Sequence, residues 1–218
     1  MIAVIDYGMG NLGSILNMLR RLGFAATATS DSTVIERAER LILPGVGAFD
    51  QGMRSINESG LRDVLDAAAL ERRTPILGIC LGMQLLGKGS EEGQRRGLGW
   101  IDGFARRFVP APEADGKFAK VPQMGWNYVV ASAPHPLFAG LEADSRYYFV
   151  HSFHLACEHE EDAIARAWYA GAPFVAAVAC RNIAGVQFHP EKSHRYGMQL
   201  LKRFAAWHPA ADSVGLRA

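Results

Sequence analysis

The stretch Pro75-Ile-Leu-Gly-Ile-Cys80-Leu-Gly-Met-Gln-Leu-Leu86 decides how this chain folds. The apolar run Pro75–Ile79 has strand length, ends in Gly-x-Cys-x-Gly and passes straight into a helical pattern. Strand, sharp turn and helix in that order are the sequence form of a nucleophile elbow. Gly78 and Gly82 flank the cysteine because such a turn leaves no room for side chains. The geometry exposes the sulfur and aims the next helix's N-terminus at it, which favours the thiolate, the reactive form. A cysteine after an apolar strand is ordinarily a buried core thiol. The paired glycines and the strand-to-helix switch set Cys80 apart.

A thiolate needs a base that takes up and returns a proton, and a group that orients that base. His189-Pro-Glu191 supplies both types within three residues. Pro190 restricts His189 to the extended region. In an extended segment alternate side chains point the same way, so the carboxylate reaches the far nitrogen of an imidazole turned toward the sulfur. Cys80, His189 and Glu191 are therefore expected to form a catalytic triad.

Composition narrows the class. The 218 residues suit one large α/β domain, 1–208, followed by a tail, 209–218, expected to fray. A hydrophobic fraction of 49% builds a substantial core, and a net charge of +1 sets up no field toward nucleic acid or membrane. No apolar run reaches the roughly 18 residues of a membrane span. Met1–Asp6 lacks a basic region and a cleavage site, so it reads as the first strand rather than a signal peptide. Cys80, Cys157 and Cys180 form neither a disulfide framework nor a CxxC pair, which fits a reducing cytoplasm; Cys157 and Cys180 are read as inert. No metal or cofactor is expected.

Hydrophobic periodicity lays out the elements. Ile2–Ile5 reads as a strand, Asp6–Asn11 as a glycine-rich turn and Leu12–Leu22 as a helix ending at Gly23. Thr27–Thr29, Arg40–Leu43 and Pro75–Ile79 read as strands, with helices at Ser32–Ala38 and Leu61–Glu71. This alternation predicts an open, mostly parallel sheet with helices on both faces. The second half reads as short strands: Gly99–Val109, Asn127–Ala131, Tyr147–Ala156, Ala163–Tyr169, Phe174–Arg181 and Ile183–Phe188. They predict an antiparallel layer added to the sheet, and Tyr196–Trp207 predicts a closing helix.

Sites in such sheets lie at the carboxyl ends of strands. Pro44-Gly-Val-Gly47 and Cys80 both fall there. Backbone amides of the Gly45–Val46–Gly47 turn and of Leu81 are candidate oxyanion-hole donors. The turn lacks both the P-loop Lys-Ser/Thr and the GxGxxG pattern, which argues against phosphate or dinucleotide. Gln84 lies one helical turn beyond Cys80 and faces the same pocket.

GICLGMQLL around Cys80 and GVQFHPEKS at Gly185–Ser193 resemble the class I glutamine amidotransferases. IDYGMGN at Ile5–Asn11, LPGVGAF at Leu43–Phe49, VPQMGWN at Val121–Asn127 and YFVHSF at Tyr148–Phe153 are similar, in particular, to the glutaminase subunits of imidazole glycerol phosphate synthases. The likeness spans nearly the whole chain. It implies that Cys80 forms a γ-glutamyl thioester from glutamine, that His189 moves the protons and that Glu191 orients His189. It implies that Gly47, Gln84, Glu92, Ser152 and Phe153 grip the substrate. It also implies a partner, a separate (β/α)8-barrel cyclase that receives the ammonia, with Asn11, Gln123, Trp126, Tyr148 and Lys192 at or near the interface. Gln123 departs from the pattern, which has His there. A paralogue supplying an amidino-sugar synthase of surface polysaccharide synthesis keeps the chemistry and changes the partner. A cysteine peptidase and a non-catalytic regulatory module are the rivals from other classes.

Overall fold

The computed structural model describes residues 1–109, 118–142 and 144–209. Ile2–Ile5 (β1), Ala26–Thr29 (β2), Arg40–Gly45 (β3) and Ile76–Cys80 (β4) pair in parallel in the order β2-β1-β3-β4. Every residue of β1, β3 and β4 is buried, as sheets covered on both faces require. Alternation sorts their side chains. Ala3, Ile5, Leu41 and Leu43 enter one core with the helices Ser32–Arg37 (α2), Phe49–Glu58 (α3) and Leu61–Asp66 (α4), and with Leu81–Leu85 (α5). Ile2, Val4, Ile42 and Leu77 enter the other, with Leu12–Arg21 (α1) and His194–Ala206 (α6). The α4 helix runs on as a π-helical turn over Ala67–Glu71.

The second half divides its strands between three sheets, where the sequence pattern suggests one added layer. Ile183–Val186 (β13) lies parallel beside β4, so it belongs to the parallel core of the sheet. Ala172–Cys180 (β12), Ala163–Tyr169 (β11) and Val130–Ala131 (β8) then extend the same sheet antiparallel. Gly89–Ser90 (β5), Gly103–Arg107 (β6) and Phe153–Cys157 (β10) form a small mixed sheet. Gln123–Tyr128 (β7) and Arg146–His151 (β9) form a separate two-stranded ribbon. The expected single strand Tyr147–Ala156 thus breaks at Ser152, and its halves serve different sheets. The tail beyond Pro209 lies outside the described residues.

The strand ends of β1, β3, β4 and β13 meet at one edge, and missing side chains bring them together. A β-carbon on Gly78 would lie 2.8 Å from backbone atoms of Gly82 and Met83. One on Gly82 would overlap the carbonyl oxygen of Leu43. One on Gly45 would stand 2.6 Å from the Tyr7 hydroxyl and 2.8 Å from the Gly82 nitrogen. Helix α5 therefore rests directly on β3 and β4. At the far end of α6, buried Arg40 donates to the carbonyls of Phe204 (3.2 Å) and Trp207 (2.9 Å). A cation at a helix C-terminus is favourable, and this one ties α6 to the start of β3.

Two glycine substitutions test this packing by urea unfolding. Gly82→Ala is expected to destabilise by more than about 3 kcal/mol, because backbone must move. Gly13→Ala, in the exposed first turn of α1 with nothing near its β-carbon, is expected to stabilise by about 0.5–1 kcal/mol. Equal effects would show that the contact at Gly82 is not tight.

Candidate active site

Cys80 ends β4 with φ 55° and ψ −110°, a conformation outside the regions open to ordinary residues. Such backbone costs on the order of 1–3 kcal/mol and persists only where surroundings impose it. Here the Gly78–Gly82 contact does so. Helix α5 has only five residues, so its influence on the sulfur is that of first-turn N–H groups, not of a long helix dipole. The Leu81 N–H is one of these amides without an intrahelical acceptor.

His189 follows β13 in extended conformation, φ −100° and ψ 98°, as the following proline requires. Pro190–Lys192 then forms a 3₁₀ turn. Glu191 therefore reaches the ring across a turn and not by strand alternation. Its Oε1 lies 2.8 Å from His189 Nδ1, and both side chains are only 2% exposed. Glu191 Oε2 is buried without a partner, so the carboxylate acts chiefly on His189. His189 Nε2 is buried and meets no oxygen or nitrogen; Cys80 is the group that acts on it. The ring and the sulfur are thus coupled without ideal hydrogen-bond geometry. Burial opposes charge on His189, but Cys80 and Glu191 together outweigh it and raise its pKa to about 10.

The loop that carries His189 is strapped to the ribbon. The His189 N–H donates to the Tyr148 carbonyl at 2.9 Å. Ser193 Oγ donates to the His189 carbonyl at 2.6 Å and accepts from the Tyr148 N–H at 3.0 Å. None of these three bonds is foreseen by the sequence reading, and Ser193 is not among the expected site residues.

A cleft of about 220 Å³ opens over the sulfur. Val46, Gly47, Leu81, Gln84, Glu92, Ser152 and Phe153 line it with Cys80 and His189, so the structure gathers nearly all the expected substrate and oxyanion residues. Gly45 is different. It is the last residue of β3, in register with Cys80, and Tyr7 fixes the preceding peptide by donating to the Pro44 carbonyl at 2.6 Å. Only Val46 and Gly47 (φ 122°) lie beyond the strand. Glu92 Oε2 accepts from the Phe49 N–H at 2.8 Å and caps α3. Gln84 Nε2 donates to the Phe153 carbonyl at 2.9 Å. A larger hollow of about 690 Å³, lined among the described residues by residues 131–136 and 138–140, has His135 as its only titratable lining residue there and shares no lining residue with this cleft.

His151, unremarked in the sequence, also lines the cleft. Burial holds it neutral, with its pKa lowered to about 3. Its Nδ1–H donates to the Phe153 carbonyl at 2.8 Å. Gln123 Oε1 lies 3.0 Å from Nε2. A neutral ring has no second N–H, so the amide pairs with it in the flipped sense, NH2 toward Nε2. Gln123 is 3% exposed and turns inward. The other residues expected at a partner edge lie on the surface. Asn11 caps α1. Trp126 is 44% exposed, stacks on His194 and meets the edge of Tyr148. Lys192 lies 5.6 Å over the Tyr148 ring.

The model of the family "Glutamine amidotransferase class-I" matches residues 3–207. The chain belongs to that family. It is 50% identical over 204 residues to imidazole glycerol phosphate synthase subunit HisH 2 of Pseudomonas aeruginosa, covering 94% of this chain and 98% of that one. The protein of the same name from Methanococcus maripaludis is 49% identical over the same share of each chain. A chain of the PurLQS structure from Thermotoga maritima superposes with a TM-score of 0.68 at 19% identity, over 94% of this chain and 97% of that one, and so shares the fold. Among the described residues of this amidotransferase, no helix is long and apolar enough to cross a membrane.

The raised pKa of His189 means that its ring keeps the proton at neutral pH. Nitrogen-15 NMR at pH 7.5 is expected to show both ring nitrogens protonated. In Cys80→Ala the deprotonation midpoint is expected to fall by about one pH unit or more. A neutral ring in the native protein would contradict the coupling.

Proposed function

We propose that this chain is the glutaminase subunit of an imidazole glycerol phosphate synthase. It serves histidine biosynthesis by hydrolysing glutamine and passing ammonia to a separate (β/α)8-barrel cyclase, which forms imidazole glycerol phosphate and aminoimidazole carboxamide ribotide. The observation that carries the reading is the coupling of Cys80, His189 and Glu191 over a lined cleft. The setting is a chain half identical to synthase subunits over almost its whole length.

Each step balances. Cys80 Sγ attacks the side-chain amide carbon of glutamine, and the carbonyl π pair moves to oxygen. The Leu81 N–H and an N–H of Val46–Gly47 hold that oxyanion, worth roughly 3–4 kcal/mol when complete. His189 gives its proton to the amide nitrogen; the C–N bond breaks, and neutral ammonia leaves a γ-glutamyl thioester. Water then attacks the thioester and yields a proton to His189. The C–S bond breaks, restoring the thiolate and releasing the glutamate side-chain acid, which ionises in solvent. Glu191 orients His189 throughout. Gln84 and Glu92 each commit one polar atom to protein, leaving an oxygen to accept from the substrate's α-ammonium.

The ribbon supplies the docking face. Tyr147, Phe149 and His151 of β9 point inward, while Met124, Trp126 and Tyr128 of β7 stand exposed opposite Val150, Tyr148 and Arg146. Val150 also lines the cleft, so ammonia and partner meet on one side. Partner binding that turns an amide of Val46–Gly47 into the cleft would complete the oxyanion hole only when ammonia has a recipient.

A second reading has its own support. Gln123 in place of the expected His leaves room for a paralogue that serves an amidino-sugar synthase. Growth of a histidine auxotroph lacking its own glutaminase subunit separates the two.

In the assembled synthase, Cys80→Ala is expected to abolish synthesis from glutamine and to spare synthesis from added ammonia. Loss of both would make Cys80 structural. Trp126→Ala is expected to weaken cyclase binding by about 2 kcal/mol, roughly thirtyfold in Kd, without loss of fold. Unchanged affinity would move the interface elsewhere.

A further inference from the structure

Gln187 is fully buried, one residue beyond β13 and two before His189. No step from Cys80 attack to thioester hydrolysis has yet required it. An amide withdrawn from water costs free energy unless its groups are paired, and here the pairing has a direction. The Phe153 carbonyl only accepts, so the Gln84 atom 2.9 Å from it is the amide nitrogen. The same nitrogen lies 3.1 Å from Gln187 Oε1 and gives it a second N–H. Gln187 is thereby held with its NH2 group toward Cys80 Sγ, 3.7 Å away. The chain of donors runs from a backbone carbonyl through two amides to the sulfur, and each orientation is fixed by the one before.

The sulfur also has an acceptor beside it, the Val150 carbonyl at 3.9 Å, which suits an S–H. A thiolate gains nothing from that carbonyl and needs donors. His189 Nε2 faces the sulfur without hydrogen-bond geometry, and Gln187 is the only side-chain N–H donor within hydrogen-bond distance of it among the described residues.

We propose that Gln187 is a further catalytic residue, whose side-chain N–H donates to Cys80 Sγ in the resting site and to the leaving sulfur as the thioester breaks. Gln84 is the positioning residue that fixes which way the Gln187 amide faces. The inference deepens the glutaminase reading and rests on it for the thioester step. Donation to the resting sulfur is measurable without turnover.

The test is the rate of Cys80 alkylation by iodoacetamide in the purified full chain, followed by mass spectrometry of the Cys80 peptide. Gln187→Met keeps the bulk and removes the donor; Gln187→Glu keeps the shape and the acceptor. Both are expected to slow alkylation at pH 7.5 about five- to tenfold and to move its pH profile upward, with glutamine KM changed far less than kcat. Alkylation at the native rate, with an unmoved profile, in a folded variant would overturn the proposal. Should neither variant fold, proton NMR of the Gln187 side-chain amide in the native chain and in Cys80→Ala decides. A displaced N–H resonance supports donation to sulfur, and an unmoved one refutes it. Native alkylation with no glutamate release under any condition would instead count against the glutaminase reading alone.

Discussion

The site depends on a contact that exists because two side chains do not. Helix α5 lies against β3 and β4 so closely that a β-carbon on Gly82 would overlap the Leu43 carbonyl, and one on Gly78 would strike the first turn of the helix. With the helix pinned there, the chain must turn from strand to helix at a single residue. That residue is Cys80, at φ 55°. The strain is a consequence of tertiary packing on both sides and is held by it. The result is a sulfur raised to the sheet edge, with a first-turn amide beside it and His189 brought up just beyond the neighbouring strand β13.

The same edge is joined to the molecule's exposed ribbon by backbone bonds. The Tyr148 carbonyl and N–H grip the His189 loop, directly and through Ser193. The Tyr148 side chain lies on the outer face, between Trp126 and Lys192. One residue, Tyr148, thus joins that face to the loop of His189. Beneath it, neutral His151 and Gln123 fill the ribbon's inner side without placing a second charge near the imidazole. A cation there would push the proton off His189 by repulsion.

Much of this was legible in the chain itself. The spacing of Gly78, Cys80 and Gly82 encodes the elbow because no other residue type fits, and Pro190 encodes the extended His189. The parallel half reads well because β1, β4 and β13 are uninterrupted runs of apolar and small residues and β3 is one after Arg40. Helix α3 is harder to read. Its apolar residues Phe49, Met53 and Ile56 have helical spacing, but Gly52 interrupts them, and Ala48 offers no cap; Glu92, far along the chain, caps it instead. The break between β9 and β10 is equally hidden, since apolar alternation runs through Ser152 while the two halves join different sheets. Gln187 and Ser193 lie inside the GVQFHPEKS stretch, but their side-chain bonds to Cys80 and to the Tyr148 N–H are tertiary, and no spacing along the chain predicts them.

The central claim is that this strained cysteine serves a glutaminase answerable to a partner. Glutamate release from glutamine by the chain alone, and with a barrel cyclase plus its nucleotide ligand, tests it most directly. The account predicts slow release by the chain alone and strong stimulation by cyclase and nucleotide together. A rate indifferent to both would contradict the assignment to the synthase and leave a glutaminase that answers to another partner.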